Sequence, residues 1–75
     1  MALYKATIKR TERLPDGSML EKGMSLQFSH FGMVWDGNGP GMQALNDAFL
    51  RIYGIDLRAN FALNLGFVEI ETISK

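Results

Sequence analysis

The sequence predicts a small α+β domain, a β-β-α-β chain whose strands form a three-stranded antiparallel sheet in the order 2-1-3 with one helix packed on one face. Three observations carry this expectation. Segments near both ends alternate apolar and polar residues, the period of a half-buried strand. A segment past the middle repeats apolar residues at three- and four-residue spacing, the period of a helix with one buried stripe. The two terminal segments carry opposite charges on their polar sides, so they complement each other as neighbours in a sheet. A chain of 75 residues holds one domain, spanning 1–75. At that size about 60% of the surface exposed by the unfolded chain is buried, so the core is thin.

The first strand is expected near Leu3 to Arg13, where Tyr4, Ala6 and Ile8 alternate with Lys5, Thr7 and Lys9. Leu14-Pro15-Asp16-Gly17-Ser18 supplies a hairpin tip, with proline fixing φ at the first corner and glycine accepting a left-handed backbone. The second strand is clearest from Met24 to Phe28, preceded by a bend or bulge at Glu21-Lys22-Gly23. After Phe28 the large apolar residues move to odd positions, at Phe31, Met33 and Trp35, which requires a break between Ser29 and Gly32. Asp36 to Gly41 reads as a loop. The helix follows, Gly41 to Tyr53, with Met42, Leu45, Ala48, Phe49, Ile52 and Tyr53 on one stripe and Asn46, Asp47 and Arg51 off it. Asn38 or Gly39 is the expected N-cap, Pro40 suits the first turn, and Gly54 the stop, with Ile55 folding back on the last turn. A further helical turn capped by Asp56 runs to Asn60, and the last strand covers Phe67 to Ile73.

Side by side, the first and last strands put Lys5 and Lys9 near Glu69 and Glu71 on one face, and Tyr4, Ala6 and Ile8 near Val68 and Ile70 on the other. Each opposed charge pair across a sheet contributes roughly 0.2–1 kcal/mol.

Composition removes several function classes. Eight basic and eight acidic residues give no net charge, so there is no global pull toward nucleic acid or anionic membranes. The absence of cysteine excludes disulfides, thiolate metal sites and thiol catalysis. Lys5 and Lys9 interrupt any leader-like apolar run, and no window approaches the roughly 20 apolar residues of a membrane span. A cytoplasmic protein is the expectation.

Candidate chemistry is sparse. The glycine-rich loop Asp36–Gly41 lacks the Gly-Lys-Ser/Thr ending of a phosphate loop, and its third dinucleotide position is Met42. His30, the single histidine, has serines and Asp36 nearby in sequence but no nucleophile–base spacing, and reads as a structural residue. Two surfaces remain. Phe28, Phe31, Met33 and Trp35 form a dense apolar cluster that a thin core does not fully hide, the signature of an interaction patch. Lys5, Lys9, Arg10 and Arg13 fall in a first third that carries five basic and three acidic groups, a candidate contact for single-stranded nucleic acid.

The segments Leu20-Glu-Lys-Gly-Met-Ser, Asp47-Ala-Phe-Leu-Arg-Ile-Tyr-Gly-Ile-Asp-Leu, Phe61-Ala-Leu-Asn and Phe67-Val-Glu-Ile-Glu, with the basic first strand Ala6-Thr-Ile-Lys-Arg, resemble a family of small uncharacterised Bacteroidales proteins. That family is described as a domain of unknown function and is often found near mobile-element genes. Its most specific stretch is Asp47 to Leu57, while Phe28 to Gly41 departs from the more polar connection of the family. The resemblance implies one compact domain in a bacterial cytosol and brings no activity, cofactor or catalytic residue. The reading from sequence is therefore a non-enzymatic protein–protein interaction module, self-associating as a homo-oligomer through the Phe31 to Trp35 patch or an open sheet edge, without cofactor, metal or membrane. A weak single-stranded nucleic-acid binder is the alternative.

Overall fold

The computed structural model of the chain describes residues 2–37 and 39–74. Its elements are β1 (Ala2–Ile8), β2 (Glu12–Arg13), β3 (Met19–Leu20), β4 (Ser25–His30), α1 (Pro40–Tyr53) and β5 (Val68–Ser74). The main sheet runs β4-β1-β5, antiparallel throughout, which is the order expected from the charges and the alternation. Ala6 lies between Leu26 and Ile70, and Ile8 faces Val68, so these side chains share the inner face. On the outer face Lys5 lies between Gln27 and Glu71, and Thr7 faces Glu69. Lys5 and Glu71 face each other without closing an ion pair. Among the described residues the one ion pair joins Arg10 and Glu12, at 3.6 Å. Lys9 instead donates from Nζ to the Leu65 carbonyl, at 3.0 Å.

The first strand stops at Ile8, five residues earlier than its composition suggests. The cause lies in its partners. The Lys9 N–H still reaches the Phe67 carbonyl, but the Glu21–Met24 turn folds in beside Ile8 and ends the ladder on the other side. Glu12 and Arg13 then pair with Leu20 and Met19 in a separate two-stranded hairpin. Its tip is the predicted one: the Leu14 N–H donates to the Ser18 carbonyl and the Gly17 N–H to that of Leu14.

Helix α1 buries Leu45, Ala48 and Phe49 against the sheet, with Met42 and Tyr53 half-buried. Ile52, expected on the stripe, is exposed. Gly54 ends the helix in the left-handed region, φ 71°, and its N–H donates to the Leu50 carbonyl. Asn46 departs from the helical pattern in the other direction. It is buried because its side chain is fully engaged: Oδ1 accepts the Arg58 N–H at 3.0 Å and Nδ2 donates to Asp56 Oδ1 at 3.1 Å.

The turn after the helix closes in a way the sequence does not suggest. The Ala62 N–H donates to the Leu57 carbonyl and the Phe61 N–H to that of Arg58, the paired bonds of a Schellman cap. The residue in the left-handed position of that cap is Phe61, φ 59°, where glycine is usual. Leu57 and Ala62 are buried, yet the Phe61 side chain is 82% exposed and adds little to the core. Phe61→Gly should therefore raise the stability of the fold by about 1 kcal/mol. A urea midpoint at or below that of the wild type would contradict this.

Candidate interaction site

The segment between β4 and α1 is short, irregular and firmly held. At its start, the Tyr4 hydroxyl donates to the Gly32 carbonyl at 2.7 Å. In its middle, Val34 is buried in the core. At its end, Asp36 accepts the N–H groups of Gly39, Gly41 and Met42 at 3.0, 2.6 and 3.3 Å. These are donors that a helix start leaves without intrahelical partners. The Gly41 bond, foremost among them, holds the Asp36 carboxyl below the usual carboxylate range, against the opposing effect of desolvation. Gly41 itself packs backbone to backbone against the segment. A Cβ there would lie 2.1 Å from the Met33 carbonyl oxygen.

The cap expected from the sequence is Asn38 or Gly39. Asn38 lies outside the described residues, and Gly39 occupies the N-cap position with no side-chain bond. The capping group is the Asp36 carboxylate, reaching from three residues upstream. An aspartate shortly before a Gly-Pro-Gly helix start was the available signal.

On this fixed loop Phe31 and Met33 are 68% and 74% exposed. Trp35 is half-buried against the core cluster. Phe28, grouped with them from the sequence, belongs elsewhere. The parity of β4 turns it inward, where it is buried with its ring centroid 5.7 Å from that of Tyr4. His30 closes β4, half-buried and opposite Ala2. Phe31 and Met33 are thus exposed on the segment between β4 and α1, Trp35 of the same segment packs on the core, and Phe28 is in the core itself.

The four candidate cations have different surroundings. Lys5 lies mid-sheet beside Glu71, and Arg13 sits in the small hairpin opposite Met19. Arg10 lies 4.3 Å over the Phe67 ring and pairs with Glu12. Lys9 lines an open cleft of about 340 Å³ with Thr7, Ile8, Lys22, Gly23 and Glu69, so a carboxylate shares the site with its two lysines.

Residues 1–70 match the model of a family of unknown function (DUF6140). The chain belongs to this family. In this DUF6140 chain the matched stretch holds β1 to β4, the loop tip, the helix, the capped turn and the start of β5. No curated protein and no solved structure matches it. Among the described residues no helix is long and apolar enough to cross a membrane.

Proposed function

We propose that this DUF6140 chain is a non-enzymatic protein–protein interaction module of the bacterial cytoplasm that associates with itself through the tip between β4 and α1. The supporting observation is the contrast within that tip. Its backbone is fixed at Gly32, Gly41 and Asp36, while Phe31 and Met33 stand free in solvent. Large apolar side chains on a pre-ordered loop lose little entropy on contact, and each contributes about 1.5–3 kcal/mol when fully buried. Their exposure gives the fold itself nothing, so a partner surface is the use that fits them. Of Lys5, Lys9, Arg10 and Arg13, three lie close to an acidic side chain or an aromatic ring, which weighs against a phosphate backbone as their ligand.

Size-exclusion chromatography with light scattering tests the reading. The wild type should gain mass with concentration, while Phe31→Ser and Met33→Ser should stay monomeric with unchanged thermal unfolding. A wild type that remains monomeric at high concentration would refute self-association. Binding of a labelled oligothymidylate at low salt by the wild type and by both tip variants would favour the nucleic-acid alternative.

A further inference from the structure

The two free edges of the sheet are not alike. Backbone groups alternate along β1. Ile8 turns toward β4, its N–H donating to the Met24 carbonyl and its carbonyl accepting the Gly23 N–H. Lys9 turns toward β5, donating to the Phe67 carbonyl at 2.8 Å. By the same alternation Glu69 and Glu71 direct their backbone groups at β1, whereas Ile70 and Thr72 direct theirs outward from the last strand of the sheet. On the opposite edge the outward groups belong to Ser25, Gln27 and Ser29 of β4, and there the Tyr53 hydroxyl takes up both of those of Ser25. It accepts the Ser25 N–H at 3.2 Å and donates to the Ser25 carbonyl at 2.7 Å. Among the described residues β5 has no such partner from Ile70 to Thr72, before the register shift opposite Leu3 and Tyr4.

We propose that the outer edge of β5 receives an extended segment of a second protein, one that alternates apolar residues with lysine or arginine. This rests on reading the chain as a binding module, not on its self-association. Glu69 and Glu71 are exposed on the outer face, and the strand β5 already accepts shows what suits them: β1 sets Thr7 opposite Glu69, Lys5 opposite Glu71, and Ala6 and Ile8 opposite Ile70 and Val68. A second strand with the same alternation completes the pattern on the open side. A second copy of β5 does not. Laid antiparallel about Ile70, two copies set Glu69 against Glu71 twice, and about Glu71 they set that residue against itself. A twofold at Thr72 runs the pairing into the register shift. Like charges opposed across a ladder are destabilising, so the edge selects against itself.

The test is fluorescence anisotropy with a labelled decapeptide alternating valine and lysine, beside a valine–glutamate peptide and an oligothymidylate. The wild type should bind the lysine peptide and neither of the others. Thr72→Pro keeps every charge and removes the outward N–H, and should weaken binding at least tenfold. Glu69→Gln with Glu71→Gln, both on the exposed face, should do the same and serves where the proline variant fails to fold. Lysine-peptide binding indifferent to either folded variant, or absent in the wild type, overturns the proposal. So does a wild-type self-association that Thr72→Pro abolishes, because a second copy would then occupy the edge. A monomeric wild type that still binds the lysine peptide refutes self-association alone and leaves the edge assignment standing.

Discussion

Gly41→Ala should destabilise the fold by about 3 kcal/mol, although helix propensity alone favours alanine over glycine by about 1 kcal/mol. The added Cβ would meet the Met33 carbonyl oxygen at 2.1 Å and the Val34 Cα and carbonyl oxygen at 2.8 Å each. All three are backbone atoms, so no rotamer change relieves the overlap. Val34 is buried and anchors the segment from below, while the Asp36 bonds to Gly39, Gly41 and Met42 hold the helix start against it. Either the first turn of the helix moves away from Asp36 or Val34 leaves the core. A domain of this size has a total stability of only about 4–11 kcal/mol, so the loss is a large fraction of it. Urea denaturation followed by Trp35 fluorescence measures the effect, and a midpoint equal to or above that of the wild type would show that the segment yields freely. At concentrations where the variant is still folded, the self-association proposed through Phe31 and Met33 should weaken with it, because displacing residues 33–34 re-aims Met33.

The strand order was legible because charge and parity each pointed to one arrangement. Lys5 and Glu71 lie opposite each other, and Ala6, Ile8, Val68 and Ile70 share the buried face, as the alternation required. Alternation is set by local backbone geometry, so it survives whatever else the chain does. The candidate tip was legible in part. The change of parity after Phe28 marked where the chain leaves the sheet, and Phe31 and Met33 did end in solvent. Phe28, on the near side of that change, keeps the parity of Leu26 and stays in the core, so grouping it with the residues beyond the break was the error. The features that were not legible depend on contacts distant in sequence. Asn46 is polar and off the apolar stripe, so periodicity assigns it to water, yet the 56–60 turn folds over it and supplies both partners. The left-handed Phe61 has no signature in residue type at all, because the cap around it is made by the carbonyls of Leu57 and Arg58.

Asn60→Ala should reduce stability by about 2 kcal/mol, the second-largest loss expected of a single substitution outside the apolar core. Asn60 is buried, and its side chain joins the hairpin tip to the turn that follows the helix. Oδ1 accepts the Asp16 N–H at 3.1 Å, and Nδ2 donates to Asp16 Oδ2 at 3.1 Å and to the Asp56 carbonyl at 2.8 Å. The hairpin tip is thereby fastened to the turn that follows the helix, over the thin core where Leu14, Leu57 and Ala62 are buried. Alanine removes all three bonds and leaves the space to water or to a void. Asn60→Asp separates the two halves of the clasp. It keeps an acceptor for the Asp16 N–H but sets a second carboxylate beside that of Asp16, which Ser18 and then Asn60 hold in its ionised form below the usual range. Two ionised carboxylates at hydrogen-bond distance repel, so the aspartate variant should be less stable than the alanine variant at neutral pH. The difference between the two should shrink as the pH is lowered into the carboxyl range and one group takes up a proton that the other can accept. Thermal unfolding of both variants at neutral and acidic pH measures this. An aspartate variant as stable as the wild type at neutral pH would show that the tip and the turn are held by packing alone.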